Sequence, residues 1–185
     1  MLVVEHPIAL ASLESMLPLI TQEDWMLFDY ILHMTLNIVG QSRDARNAFM
    51  DKNIIDYIFM KIDCFQSAPI FDTIAGDMMS LCANLQISTP HLQLKDTALL
   101  FNMCCRLYKQ FPTDDNAWEL AWAMKYLISG GDHPEQRAEL LNKSGLLPAM
   151  FVFLNPNKVW KPTPVVFNVL CVLAEQGHHG LFNIE

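Results

Sequence analysis

Apolar residues recur at spacings of three and four along nearly the whole chain, in segments of about ten to eighteen residues bounded by Gly, Pro, Asn and Ser. Strict alternation of apolar and polar positions, the mark of a half-buried strand, is almost absent. No Asn-Gly or Asp-Gly pair joins two alternating runs. The pattern predicts an all-α protein.

The helical segments also repeat. Four long ones end alike: "LHMTLNIVGQ" from Leu32, "MSLCANLQIS" from Met79, "AWAMKYLISG" from Ala121 and "FNVLCVLAEQ" from Phe167. Taking Asn37, Asn84, Tyr126 and Cys171 as equivalents gives spacings of 47, 42 and 45 residues, the period of HEAT and armadillo arrays. Within a unit a short polar helix ("SRDARNAFMDKN", "HPEQRAELLNKSG") precedes an apolar one ("IIDYIFMKI", "LLPAMFVFL"), and the long segment comes last. Three helices in that order fit an armadillo unit better than a two-helix HEAT unit. The expected fold is an all-α, right-handed armadillo superhelix of about four repeats, with units at 1–41, 42–88, 89–130 and 131–176 and the start of another. No such unit buries its own apolar faces, so neighbours stack and leave a long surface lined by the third helices. A closed four-helix bundle or an unrelated helical domain is the alternative.

Composition narrows the function classes. Apolar residues make up 52% of the chain and charged ones 17%, which excludes a disordered polar tail. The longest apolar run, "LLPAMFVFL", stops at nine residues and contains Pro148, well short of the ~20 that span a bilayer. No membrane partner is expected. The opening "MLVVEHPIALASLESM" has no basic leader and carries Glu5, so no signal peptide is expected either. Twenty acidic residues against twelve basic ones give a net charge of −8, which disfavours direct nucleic-acid binding and suits a basic protein partner. The five cysteines form no CxxC pair; reduced, buried thiols and an intracellular location are expected. No phosphate loop, HExxH, GxSxG or zinc spacing is present. Neither catalysis nor a cofactor or metal is expected.

Trp118, Trp122 and Tyr126 lie four apart along one helical line. The stretch "AWAMKYLISGGDHPEQRAELLNKSGLLPAMFVFL" that contains Trp122 and Tyr126 resembles the fifth armadillo repeat of importin-α together with the start of the next repeat. There a third helix reading roughly CWALSYLSDG leads through a short helix to a Gly-x-x-Pro turn. "LNIVG" from Leu36 is similar to the GNIAG of an earlier repeat, and "CANLQIS…PHLQLKDTALLFNMCCRLYKQF" to a repeat with an altered short-helix break. The resemblance spans nearly the whole chain, from a second repeat into a sixth.

It implies an adaptor with a peptide groove, working in the nucleus and cytoplasm on nuclear import. In that family paired Trp and Asn on successive third helices hold basic localisation peptides. The indoles receive cationic stems and the amides clamp the peptide backbone. Transferred to this chain, the pairs are His33 with Asn37, Ser80 with Asn84, Trp122 with Tyr126, and Phe167 with Cys171. Only the third keeps its indole. An expected Asp after GNIAG is Gln41 here, with Asp44 three residues on. Asp114, Asp115 and Glu119 keep carboxylates beside Trp122, and Trp118 extends the aromatic line. An aromatic slot contributes about 0.5–2 kcal/mol per cation and a charged hydrogen bond about 1.5–3 kcal/mol. Losing two slots and one carboxylate therefore makes the ordinary lysine-rich signal a poor ligand. The alternative is a non-transport nuclear scaffold derived from such an adaptor, which docks one dedicated protein. The lack of a basic segment ahead of the repeats favours it.

Plainer readings stand beside these. The three rings of the aromatic line are also what an inter-unit core would use, and mid-helix Asn is commonly solvated. Asp114 and Asp115, after Pro112-Thr113, suit a helix start without any ligand. Cys104 and Cys105, adjacent on a helix, point to different faces and do not make a zinc pair. The eleven methionines read first as core filling, and His178-His179 as solvated loop. Neither "MLVVEHPIAL" nor "HHGLFNIE" reads as a polar cap, so a homodimer, a bound partner or a larger parent chain is expected.

Overall fold

The computed structural model describes residues 7–87, 92–129, 133–151, 154 and 163–175. His178-His179 and most of the stretches "MLVVEHPIAL" and "HHGLFNIE" lie outside these. Among the described residues the chain is all-α and has no strand.

Local chemistry sets the helix boundaries. After α1 (Pro7–Met16), a 3₁₀ turn at Gln22–Asp24 leads into α2 (Trp25–Gln41). Thr21 and Asp24 cap each other there: the Thr21 N–H donates to the Asp24 carboxylate at 2.9 Å, and the Thr21 side chain serves the Asp24 backbone. These bonds satisfy donors that a helix start leaves open. Donation from the Thr21 backbone and hydroxyl holds the Asp24 carboxyl below the usual carboxylate range. Ser42 Oγ accepts from Ala45 N at 3.1 Å and starts α3 (Arg43–Asp51). Asn53, at φ 55°, makes the left-handed corner into α4 (Ile54–Lys61), a conformation that Asn tolerates. The Lys61 ammonium donates to the carbonyls of Pro18 and Ile20 at 2.8 and 2.7 Å, fastening α4 to the segment between α1 and the Gln22–Asp24 turn.

The chain continues as α5 (Phe71–Ile87), α6 (Leu94–Gln110), α7 (Asp114–Ser129), α8 (Pro134–Ser144), α9 (Leu146–Phe151) and α10 (Thr163–Glu175). Pro134 opens α8, and Gly145 closes it at φ 72°, the usual asymmetry of helix ends. The described parts of the four long sequence segments fall on α2, α5, α7 and α10. The short polar segments fall on α3 and α8, and the apolar ones on α4 and α9. Between α5 and α7 the short and apolar pair is replaced by one unbroken helix, α6.

The long helices pack in series. α5 lies against α2 on one side and α7 on the other, and α10 lies against α7. α6 packs on α5, α7 and α8. One connected set of buried apolar residues runs from Leu10 to Leu173. Near its start Phe28 and Phe65 stack with centroids 4.3 Å apart, and further along Phe71 meets Phe111 edge-on at 4.7 Å.

The polar short helices are not wholly solvated. Arg46 on α3 and Arg137 on α8 are 2% and 1% exposed. Arg46 Nη1 donates to the Leu85 carbonyl in the last turn of α5, at 3.3 Å. Arg137 donates to the Leu127 carbonyl in the last turn of α7 at 3.1 Å, to Thr97 Oγ1 at 2.9 Å and to the Leu92 carbonyl at 2.8 Å. Both guanidinium groups thus lie at the negative end of a long helix, where a cation is favoured.

The cysteines divide against the expectation of buried thiols. Cys82, Cys104 and Cys105 are buried, but Cys64 and Cys171 are exposed. Cys64 lies in a 3₁₀ turn whose inward positions are Ile62 and Phe65, and Cys171 is one turn beyond the exposed Phe167. Cys104 and Cys105 do point apart. Cys104 shares a hydrogen bond with Cys82, which together with burial pushes the Cys82 thiol well up, and Cys105 Sγ donates to the Ser144 carbonyl at 3.0 Å.

Candidate functional site

The third-helix positions picked out in the sequence come together where α2, α5 and α7 lie side by side. His33 and Asn37 are exposed on α2; Ser80 and Asn84 on α5, and Trp118, Glu119, Trp122 and Tyr126 on α7, are partly buried. Cross-links between helices join several of them. His33 Nδ1 sits 3.4 Å from Asp77 Oδ2, Ser80 Oγ donates to the Glu119 carboxylate, and Asn84 Nδ2 donates to the Leu36 carbonyl at 2.7 Å. Asn37 Nδ2 turns back onto its own helix, donating to the His33 carbonyl at 2.8 Å. The amide N–H groups thus have partners inside the protein.

Two glycines set the spacing of the row. A Cβ on Gly40 of α2 would lie 2.9 Å from Asn84 Nδ2, and one on Gly76 of α5 would lie 2.8 Å from Asn116 Oδ1. Asn116 is itself buried at the start of α7, where its N–H donates to Thr113 Oγ1 and its amide to the Phe111 carbonyl. Thr113 is therefore the cap. Asp114 and Asp115 occupy the first turn, exposed and suited to the positive helix end.

Between α5 and the start of α7 opens a cleft of about 420 Å³ lined by Asp72, Asp77, Asp115, Glu119, Asn116 and Gly76, together with Thr73 and Thr113. Its walls are rich in acceptors and, among the described residues, carry no lysine or arginine side chain. Burial pushes the Asp77 carboxyl up; the hydrogen bond and charge of His33 pull it down, and the charge of Asp29 adds to the rise. Such a group holds its proton more tightly folded than unfolded. The site therefore costs stability above the folded value, and the cost disappears below the ordinary 3.8. Asp77→Asn is expected to stabilise the protein at about pH 7, with the gain gone at about pH 3, in urea unfolding at both.

Beyond the cleft on α7 stand the three rings. Trp118 meets Trp122 edge-on with centroids 6.0 Å apart, and Trp122 stacks on Tyr126 at 5.8 Å and 21°. All three residues pack on the core and are only partly buried. Lys125 Nζ lies 4.6 Å from the Trp122 centroid and 5.6 Å from that of Tyr126, so this aromatic surface has a demonstrated geometry for an ammonium ion.

Asp29, Asp72, Asp77, Asn116 and Lys125 were not singled out by sequence. A signal for Asp77 existed: it stands seven residues before Asn84, as Glu119 stands seven before Tyr126. Among the described residues no three His, Cys, Asp or Glu side chains are placed to hold a metal ion, and no helix is long and apolar enough to cross a membrane. No protein-family model, curated protein or solved structure matches the chain.

Proposed function

We propose that the chain is a non-catalytic protein-docking module, an armadillo-type stack of importin-α kind, whose α5–α7 face receives a cationic, extended segment of a protein partner. The observation that carries this reading is the placement on one helix, α7, of cleft carboxylates (Asp115, Glu119) and of partly buried aromatic residues (Trp122, Tyr126). Carboxylates recognise cationic heads and rings recognise their stems. The serial packing of four long helices and the recurrence of their sequence endings support the stack.

A degenerate site in a protein related to nuclear import is the first form of this reading. A nuclear scaffold holding one dedicated partner is the second, and a specific contact favours it. Asn84 is bonded to the Leu36 carbonyl, and Asn37 to its own helix, instead of standing ready for a guest backbone.

Titration with a labelled lysine-rich peptide tests the proposal. Trp122→Ala is expected to weaken binding about two- to threefold, because one cation–aromatic contact of about tenfold is lost from a ring that Lys125 already covers, and added salt is expected to weaken it further. Salt-insensitive binding that Trp122→Ala leaves unchanged would place the ligand elsewhere. No binding by the intact protein would remove the cationic-segment reading.

A further inference from the structure

We infer that Lys125 is an internal competitor for the aromatic slot: its ammonium covers the Trp122–Tyr126 surface that a partner's cation must take. This rests on the docking function proposed above and adds a selection rule to it. Lys125 comes three positions after Trp122 on α7, the spacing at which helix side chains are neighbours. Its ammonium lies at 4.6 and 5.6 Å from the two ring centroids, within the ~6 Å range of cation–aromatic attraction.

The contact is carried by one flexible side chain, so it is released by rotamer changes without moving the helix. A guest with one cation then exchanges like for like at the rings and gains little. A guest with a second cation also reaches the carboxylates of Asp72, Asp77, Asp115 and Glu119, where no lysine or arginine among the described residues lines the cleft. The structure therefore selects a segment with at least two cations, one to displace Lys125 and one for the cleft. Lys125 acts here as a specificity-determining residue and not as part of the acidic site.

The experiment compares binding of one fluorescein-labelled lysine-rich peptide by the intact protein, Lys125→Met and Lys125→Gln. Lys95→Met, which removes the same charge from an exposed position on α6, controls for net charge. Both Lys125 variants are expected to bind about three- to fivefold tighter, and Lys95→Met within about twofold of the intact protein. In a Trp122→Leu background the Lys125 effect should shrink to that of the charge control. The Lys125 side-chain methylene resonances, read without peptide, should be ring-shifted upfield and return to ordinary values in Trp122→Leu. Binding that Lys125 and Lys95 substitutions change equally, or unshifted methylenes, overturns the competitor while leaving the docking function standing. Failure of every form to bind overturns both.

Discussion

Arg137→Ala is expected to lower the unfolding free energy by about 3 kcal/mol or more, the largest loss from any single polar side chain here. The guanidinium is 1% exposed and donates to the Leu127 carbonyl, Thr97 Oγ1 and the Leu92 carbonyl. Truncation removes this donor from the buried Leu127 carbonyl and the part-buried Leu92 carbonyl, leaves Thr97 Oγ1 with the Gln86 amide, and opens a void the size of an arginine side chain. Removing the charge recovers some desolvation cost, but hydrogen bonds to a charged donor each contribute about 1.5–3 kcal/mol. Arg137→Lys keeps the charge but not the planar fork that serves several acceptors at once, so it should fall between Ala and the intact protein. Chemical denaturation of the three forms checks the order. A loss below about 1 kcal/mol for Ala would mean that the acceptors find water instead.

The second large effect is a reversal of sign. Gly40→Ala is expected to destabilise by about 1–2 kcal/mol, because its Cβ would lie 2.9 Å from an Asn84 amide fixed by a 2.7 Å bond to the Leu36 carbonyl. Asn84 cannot yield without losing that bond. In an Asn84→Ala background the obstacle is gone, and alanine's helix preference, about 1 kcal/mol over glycine, should make the same substitution neutral or stabilising. A double-mutant cycle by urea unfolding measures the coupling. Additive losses would show that α2 and α5 are not held by this contact.

The helices were legible because their periodicity is global and their ends are chemical. Ser42, Pro134 and Gly145 mark boundaries by capping and by backbone conformation, and each boundary falls where these residues put it. The candidate site was only partly legible. Trp122, Tyr126 and Glu119 stand out as large or charged residues at repeat positions, but Asp77 matters through its neighbours His33 and Asp29 on another helix. Nothing along the chain sets Lys125 apart from the other lysines, and the placement of its ammonium near two rings is a three-dimensional fact. Arg46 and Arg137 were hidden for the opposite reason. They lie in segments polar enough to read as surface, and only the packing of helix ends around them makes them interior. Asn37 and Asn84 illustrate the limit of spacing: their equivalence on the chain held no information about what their amides would bond.

In the series α2, α5, α7, α10, each long helix leans on one whose equivalent positions lie 42 to 47 residues away in sequence. The entropy of bringing partners together thus depends on that interval and not on chain length. Assembly can begin at whichever adjacent pair gains most. Among the described residues the most extensive helix pairing joins α5 to α7, and the acidic cleft lies between those same two helices. A substitution in that seam is therefore expected to act on the stability of the stack as well as on the proposed docking face.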